Sequence, residues 1–339
     1  MKATRFSGLL LIGALAGCSS QRTSAPADWS ESPRVWPDPP DPPRIAYQHS
    51  LSTPAEFGSK VSTFARFGQW LTGTGKREDR LRKPFGLTLD ENENFCLTDT
   101  GANTVCFFDR AAHRWHSWNK VGPVRFLSPV SVAKRYGTFF VADSTLGRVI
   151  VFREDGKLGL QITNHLQRPC AVTILNDNLF VADSQRHTVV KFDLAGNFLK
   201  EFGSRGSGEG QFNFPTHLAA DNTGMLYVTD SMNSRIQKFT AEGEYKGAVG
   251  KLGDSPGHFG RPKGIALDTA GRLYALDAMF DNFQIFDRDG RLMLAIGETG
   301  SQPGQFWLAN GIAISRDNQI YVADPYNRRI QVFKYIGGE

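Results

Sequence analysis

The sequence has 339 residues, of which 40% are hydrophobic and 22% charged, and its formal net charge is +5 at pH 7. This apolar content is enough to form a large folded core. Removal of residues 1–17, which include Lys2 and Arg5, would lower the charge to +3, a balance too weakly basic to indicate a nucleic-acid-binding protein.

The first residues predict export. Lys2 and Arg5 precede an apolar run that ends in Leu-Ala-Gly before Cys18, and this run is too short to span a membrane. We therefore interpret residues 1–17 as a signal peptide. Its end resembles a bacterial lipobox, which implies cleavage before Cys18, acylation of Cys18 and anchoring to a membrane of the cell envelope. Ser19 resembles the signal for sorting to the outer membrane. An ordinary signal peptide that happens to contain a cysteine is the alternative.

The segment after the predicted lipid anchor is rich in proline. Residues 19–43 contain seven of the chain's 17 prolines. Such a composition favours a semi-rigid extended spacer of about 3 Å per residue. A motif recognised by proline-binding modules is the alternative interpretation.

Residues 54–72 carry apolar side chains at helical spacing. Phe57, Val61 and Phe64 recur every three or four residues, and Trp70 lies beside them. The pattern predicts an amphipathic helix that docks on the rest of the domain. A membrane or partner contact through its aromatic side chains is the other possibility.

A sequence repeat organises the remainder of the chain. LYVTDSMNSRIQKF at 226–239 returns as IYVADPYNRRIQVF at 320–333, and LYALDAMFDNFQIF lies midway at 273–286. Six copies are anchored by Asp99, Asp143, Asp183, Asp230, Asp277 and Asp324. The last three intervals are 47 residues each, and the earlier ones are 44 and 40. A period in this range indicates a repeat architecture. An aspartate present in every copy suits a turn-stabilising acceptor better than a catalytic group.

Each copy predicts four short strands. A proline such as Pro215 opens an apolar run, the turn at 221–224 follows, and the repeated segment then reads as two strands around a loop. A second glycine turn precedes a short fourth strand. Four-stranded units at this spacing indicate the blades of a propeller, so six copies predict an all-β, six-bladed β-propeller.

The repeated words resemble those of the NHL repeat family. Pro-x-Gly-Ile-Ala-x-Asp, Gly-x-Leu-Tyr-Val-Thr-Asp and Asn-x-Arg-Ile-Gln-x-Phe follow one another, preceded by Gly-x-Gly-Gln-Phe. The resemblance covers about residues 80–336 and is strongest in the last three copies. The fifth copy departs from the pattern at Asn282 and Phe283, without effect on the predicted fold.

The sixth blade ends before its outermost strand. Residues 44–51 alternate in polarity, and we expect them to supply this strand by pairing near 329–336, because an unpaired edge invites aggregation. The predicted domains are therefore a signal peptide at 1–17, an acylated cysteine and spacer at 18–43, and a propeller at 44–339.

Three cysteines follow Cys18. Cys96 and Cys106 lie on the two strands of one predicted hairpin, and an exported protein can form disulfides. Two arrangements remain open, a bridge between them or burial as apolar thiols on opposite faces of the sheet. The absence of CxxC spacing argues against a cysteine metal site.

The most promising binding surface is one face of the propeller. The loop after each repeat aspartate and the linkers between blades gather there, and we call this the rim face. Basic residues are frequent in it and acidic ones few, which favours an anionic ligand or an acidic protein surface. The alternative is that individual arginines brace a neighbouring blade or pair with the repeat aspartates. The candidate binding residues are Arg186, His187, His217, Lys263, Met279, Phe280, Trp307, Asn310, Tyr326 and Arg328.

The resemblance also raises an enzyme alternative. Peptide-amidating lyases place three metal-binding histidines just after the blade-opening proline, and lactonase-type propellers hold calcium in the channel. The matching positions here are Phe85, Val130, Cys170, Thr216, Lys263 and Asn310, so that histidine triad is absent. We therefore expect a monomeric, membrane-anchored binding or scaffold module for an envelope protein or anionic ligand, with no cofactor, metal or nucleic acid. A lyase- or lactonase-type propeller enzyme with a metal near the channel is the alternative.

Overall fold

The computed structural model describes residues 34–60 and 80–337. The predicted signal peptide, Cys18 and the spacer up to residue 33 lie outside this range, as do residues 61–79. The described chain is an all-β, six-bladed propeller, as predicted. No helix in these two ranges is long and apolar enough to cross a membrane.

The strands follow the six repeats in chain order. Two strands precede the first repeat, β1 (Val35–Trp36) and β2 (Ile45–Leu51). Blade 1 contains β3 (Pro84–Leu89), β4 (Phe95–Asp99), β5 (Thr104–Asp109) and β6 (Arg114–Trp118). A small hairpin, β7 (Lys120–Val121) and β8 (Val124–Arg125), lies in the next linker. Blade 2 contains β9 (Pro129–Arg135), β10 (Thr138–Asp143), β11 (Arg148–Arg153) and β12 (Leu158–Ile162).

The other blades repeat this antiparallel order. Blade 3 contains β13 (Pro169–Leu175), β14 (Asn178–Asp183), β15 (Thr188–Asp193) and β16 (Phe198–Phe202). Blade 4 contains β17 (Pro215–Ala220), β18 (Met225–Asp230), a 3-10 turn (Ser231–Asn233), β19 (Arg235–Thr240) and β20 (Tyr245–Val249). Blade 5 contains β21 (Pro262–Leu267), β22 (Leu273–Asp277), β23 (Asn282–Phe286) and β24 (Leu292–Ile296). Blade 6 contains β25 (Ile312–Ile314), β26 (Gln319–Asp324) and β27 (Arg329–Tyr335), completed by β2.

The ring is closed by the N-terminal strand. β2 pairs antiparallel with β27, with Ile45 opposite Tyr335 and Leu51 opposite Ile330. Ile45 is fully buried and Leu51 almost so, which removes both apolar side chains from water. The prediction that residues 44–51 supply the missing strand is confirmed.

The end of the predicted spacer is also part of the sheet. β1 pairs with β2 as a fifth strand, with Val35 opposite Ala46. The ring of Trp36 packs edge-on against Phe333, with centroids 5.8 Å apart. Residues 35–36 of the predicted spacer are therefore part of the sheet, because packing of this indole against Phe333 removes apolar surface from water.

The predicted helix at 54–72 can be compared with the structure only at its start. Residues 54–58 form consecutive turns rather than a helical turn, and residues 61–72 lie outside the described chain. Phe57 packs against Phe95 and Trp115 of blade 1, with centroids 5.4 and 4.9 Å away. Residues 54–58 are thus anchored on blade 1 by one aromatic side chain, without helical structure.

The cysteines of blade 1 are not joined in a disulfide. Cys96 lies opposite Phe107, and Cys106 opposite Leu97. Neighbouring positions on paired strands point to opposite faces, so Cys96 enters the core between blades 1 and 2 while Cys106 enters the core on the other side of blade 1. Of the two arrangements left open by the sequence, burial on opposite faces is the one observed.

The repeat aspartates hold the rim face together. All six are almost completely buried, and in each blade the carboxylate accepts hydrogen bonds from the linker that enters the blade. In blade 5, for example, Asp277 accepts from the backbone N–H of Gly260 at 2.6 Å and of Met279 at 2.8 Å. The carboxylate thus ties a linker to the loop beside it, and every such group is occupied by a structural bond.

Candidate binding surface and channel mouth

Exposed apolar side chains are concentrated on the rim face. Twelve large apolar side chains are exposed in the described chain, and eight of them belong to the rim loops and linkers. These eight are Leu127, Phe214, Met232, Leu252, Met279, Trp307, Leu308 and Tyr326. Single exposed apolar residues are ordinary, but a concentration on one face is typical of an interaction surface.

An aromatic patch forms the densest part of this surface. We define it by Met279, Phe280, Trp307, Leu308 and Tyr326, which come from blades 5 and 6 and the linker between them. The rings of Trp307 and Tyr326 stack with centroids 5.5 Å apart, although each residue remains about half exposed. The backbone N–H of Trp307 donates to the carboxylate of Asp324 at 2.9 Å, and this bond holds the residue in place.

A cation borders the patch. The ammonium group of Lys83, from the linker before blade 1, lies 4.6 Å from the centroid of the Tyr326 ring. Its Nζ is 3.4 Å from the hydroxyl of Tyr326. Arg328 is exposed two residues beyond Tyr326. The patch therefore combines apolar area with positive charge at its edge.

Many rim cations have no carboxylate partner. Within the described ranges, nine basic residues of the rim loops and linkers form no ion pair. They are Arg80, Arg82, Lys83, Arg125, Arg205, Lys251, Arg261, Lys263 and Arg328. The nearby acids are few, and one of them, Asp281, is buried and accepts from Leu308 N–H at 2.6 Å. A net positive field therefore covers this face.

Three arginines of the rim face, one of them the candidate binding residue Arg186, instead have structural roles. Arg186 forms a bidentate pair with Glu201, with Nη2 2.9 and 3.0 Å from the two carboxylate oxygens. Arg235 and Arg329 pair with the repeat aspartates of their own blades at 2.9 Å, as the bracing alternative anticipated. These three guanidinium groups are used within the fold.

His187 is likewise a structural residue. It is buried, and its Nδ1 accepts the backbone N–H of Phe214 at 3.1 Å. It occupies a left-handed position four residues after the repeat aspartate, with φ of 59°. In blade 5 this position is Asp281, which makes the equivalent bond to the next linker, and in blade 6 it is Arg328, which is exposed. The sequence shows which residue occupies this position in each blade, but it does not show in which blades that residue forms a hydrogen bond with the next linker.

A ring of side chains surrounds the rim-side mouth of the central channel. In blades 1 to 5, the pairing of the innermost strand with its neighbour is interrupted by a bulge just after the opening proline. A bulge turns an extra side chain out of the regular alternation. The bulge positions include Phe85, Val130, Cys170, Thr216 and Lys263, and Asn310 has the corresponding position in blade 6.

His217 and Asn310 meet at this mouth. The amide nitrogen of Asn310, from blade 6, lies 3.2 Å from Nε2 of His217, from blade 4, and 3.4 Å from the carbonyl oxygen of Phe85. Burial, assisted by the charge of Lys263, lowers the pKa of His217 to about 3, so the imidazole is neutral at physiological pH. A neutral ring whose Nε2 accepts the amide proton carries its own proton on Nδ1.

Close approach of the inner strands narrows the channel. A Cβ at Gly264 would lie 2.3 Å from the carbonyl oxygen of Asn310, and one at Gly311 would lie 2.3 Å from that of Phe85. Only glycine permits this approach at these two positions. The lumen beyond has a volume of about 580 Å³ and is lined largely by inner-strand residues from Gly86 to Ile314. In the described chain, no three His, Cys, Asp or Glu side chains converge as a metal site.

Comparisons with known proteins agree with the observed fold. A family model described as a 6-bladed beta-propeller (DUF5128) matches residues 267–339, and the NHL repeat model matches residues 212–239. The chain therefore contains an NHL repeat, in agreement with the resemblance seen in its sequence.

Several solved structures share the propeller architecture. A streptogramin B lyase is 13% identical, with a TM-score of 0.57 over 75% of this chain and 93% of that chain. A gluconolactonase from Xanthomonas campestris is 12% identical, with a TM-score of 0.59 over 85% and 98%. An auxiliary nutrient binding protein from Bacteroides thetaiotaomicron is 12% identical, with a TM-score of 0.60 over 76% and 70%. At these identities the likeness concerns the fold alone, and the six blades are those of this chain's own sheets, in agreement with the family model.

Proposed function

We propose that this protein is a lipid-anchored binding module of the bacterial cell envelope, and that its rim face docks an acidic protein surface with exposed apolar side chains. The observation that supports this function is the coincidence, on one face, of eight exposed apolar side chains with nine cations that form no ion pair with any described residue. Positive charge would accelerate the encounter with an acidic partner, and burial of the apolar side chains would supply affinity.

The aromatic patch is the expected centre of the interface. Binding energy in protein interfaces is concentrated in a few residues, and Trp, Tyr and Arg are enriched among them. Trp307, Tyr326 and Arg328 lie together at the edge of blade 6. They also stand on loops held by the buried Asp324, so little conformational entropy would be lost when they bind.

The membrane anchor would be the acylated Cys18. Fifteen residues lie between Cys18 and Arg34, where the described domain begins, and an extended chain of this length spans about 50 Å. The propeller would then stand away from the bilayer and reach a partner in the same membrane. Export also makes nucleic acid an unsuitable ligand.

An enzyme of the lyase or lactonase type is the alternative. Its active site would lie at the channel mouth, where His217 is the available histidine among the described residues of the ring. A histidine with a pKa of about 3 is a weak base near neutral pH. The channel mouth therefore supports binding better than proton transfer.

The proposed interface is tested by simultaneous replacement of Trp307, Tyr326 and Arg328 by Ala. The variant and the wild-type protein would each be used to capture partners from envelope membranes, and the dissociation constant of the purified partner would then be measured. We expect at least a tenfold loss of affinity in the variant and weaker binding by the wild type as salt rises. Tyr136→Ala is the matched control, because Tyr136 is an exposed aromatic residue in the β9–β10 loop on the opposite face. Unchanged affinity of a folded triple variant would rule out this interface.

The anchor is tested by Cys18→Ser. We expect the variant to leave the membrane fraction and to lose labelling by a fatty-acid analogue. A single myristoyl-sized chain binds membranes only with an association constant on the order of 10⁴ M⁻¹, so the multiply acylated cysteine of this class would hold the protein more firmly. Labelling that persists in the variant would contradict acylation of Cys18.

A further inference from the structure

The ring at the rim-side mouth of the channel is chemically asymmetric. Phe85, Val130 and Cys170, from blades 1 to 3, form an apolar half, since burial raises the pKa of the Cys170 thiol to about 12 and keeps it neutral. Thr216 and Lys263, from blades 4 and 5, form a polar half together with His217. A ring of six equivalent positions has thus been divided into two sides of different character.

The polar half contains hydrogen-bond donors without acceptors. Oγ1 of Thr216 and Nδ1 of His217 are inaccessible to solvent and have no hydrogen-bond partner in the described chain. Because Nε2 of His217 faces the amide of Asn310, the unpartnered Nδ1 carries a proton. A buried polar group without a partner costs roughly 1–3 kcal/mol, which makes such groups informative about missing ligands or waters.

Lys263 adds a positive charge next to these donors. Thr229, which pairs with His217, donates to the carbonyl oxygen of Lys263 at 2.8 Å, so the two inner strands are adjacent at this point. The ammonium group has no carboxylate partner among the described residues. Burial and the charge of Arg261 lower the pKa of Lys263, which means that the fold does not compensate this cation.

We propose that the polar half of this ring binds a carboxylate group, with Lys263 as its counter-ion and Thr216 and His217 as hydrogen-bond donors. Phe85 and Val130, which belong to the apolar half, would contact the hydrocarbon part of the same ligand. A carboxylate supplies several acceptor sites, enough for all three donors. The inference rests on the proposed function in one respect, that ligands approach from the rim face. The carboxylate can belong to a small acid or to the end of a polypeptide.

Two pairs of probes test for a carboxylate and separate its sources. Phenylacetate and its neutral analogue phenylacetamide represent a small acid. A short peptide that ends in phenylalanine, with either a free or an amidated C-terminus, represents a polypeptide. Ligand-observed NMR with the whole mature protein would measure binding at millimolar concentrations. We expect at least one acid to bind ten times more tightly than its amide, and which pair responds identifies the source.

Single substitutions locate the site. Lys263→Met should weaken binding of the acid at least tenfold and leave binding of the amide unchanged. The substitution removes an uncompensated cation, so we expect the melting temperature to stay constant or to rise. Thr216→Val should weaken binding of the acid by a smaller factor than Lys263→Met does. Lys246→Met is the control of equal charge change, since Lys246 lies on the outer strand of blade 4 and pairs with Glu244.

Several outcomes would overturn the proposal. These are failure of both acids to bind, equal binding of an acid and its amide, or equal binding by wild type and Lys263→Met. The Trp307, Tyr326 and Arg328 triple variant should keep its affinity for the acid. If that variant binds the protein partner normally while Lys263→Met loses the acid, the rim interface is wrong and the carboxylate site stands. The reverse pattern would reject the carboxylate site alone.

Discussion

The two faces of the propeller treat charge in opposite ways. Twelve of the seventeen ion pairs in the described chain join side chains at the face opposite the rim. On the rim face, nine cations form no ion pair with the residues that the structure describes. Within the described ranges, ion pairs are therefore concentrated on the face opposite the rim.

The contrast is sharpest between two lysines. Lys134, at the end of β9, is almost completely buried and contacts Asp90 at 2.6 Å and Glu154 at 2.8 Å. Lys251, in the linker before blade 5, is exposed and has no such contact. The chain therefore uses the same residue type for stability at one face and, we propose, for recognition at the other. Four predictions test this difference between the two faces.

The largest effect should come from loss of the closing strand, on which both faces depend. A chain that begins at Ser52 lacks β1 and β2 and leaves β27 as an open edge. Ile45 and Leu51 are buried in β2, and with Ala46 their loss should cost about 5 kcal/mol or more, comparable to the whole stability of many domains. Thermal unfolding of this chain would be compared with deletion of residues 19–33, which retains every strand of the described chain. Equal melting temperatures would contradict closure by β2.

The next effect concerns the buried lysine. Lys134→Met should destabilise the protein by about 3–5 kcal/mol, because Asp90 then remains buried without its cation. The double variant Lys134→Met with Asp90→Asn should recover part of this loss, since no unpaired charge remains. Urea unfolding measures both. If the single variant is as stable as the wild type, the buried ion pair between Lys134 and Asp90 does not contribute to stability.

The same pair predicts a pH dependence. Burial would raise the pKa of Asp90, but the hydrogen bonds from Lys134 and Asn94 outweigh it and hold that pKa below its usual value. A lowered pKa contributes stability that is present above the unfolded value, about 3.9, and is lost as pH falls through the folded value. In Lys134→Met the hydrogen bonds from Asn94 remain, but the lysine no longer offsets burial, so the pKa of Asp90 is higher than in the wild type and the variant gains relative stability in acid. The difference in unfolding free energy should therefore shrink as the pH falls below the variant's folded pKa of Asp90 and on through the lower folded pKa of the wild type, which lies below about 3.9. A constant difference would show that lost packing, not charge, explains the variant.

The fold was predictable because the same four-strand pattern occurs six times in the sequence. A buried aspartate with two strands around it recurs from Asp99 to Asp324, so a local pattern predicts the whole ring. Closure by residues 44–51 followed from counting strands in blade 6. Strand β1 was missed because two residues between prolines carry no periodic signal, and their pairing depends on the distant Phe333.

The site was predictable only in outline. The sequence shows which face is basic, but whether a cation finds a carboxylate depends on contacts between elements far apart. Arg186 reaches Glu201 on the outer strand of its blade, while Lys83 meets Tyr326 across 243 residues of sequence. The unpartnered Nδ1 of His217 depends on Asn310 from another blade. A single sequence contains none of these distances.

The smallest effect should come from a rim lysine. Lys251→Met makes the same chemical change as Lys134→Met, but at an exposed residue for which no ion pair is formed within the described ranges. Surface substitutions away from specific contacts usually change stability by less than ~0.5 kcal/mol, so urea unfolding of this variant should match that of the wild type. Its association rate with an acidic partner should nevertheless fall at low salt, because long-range attraction depends on the summed charge of the face. Stopped-flow association at low and high salt would separate these contributions. A loss of stability as large as that of Lys134→Met would mean that the rim cations are structural, and the distinction between the two faces would fail.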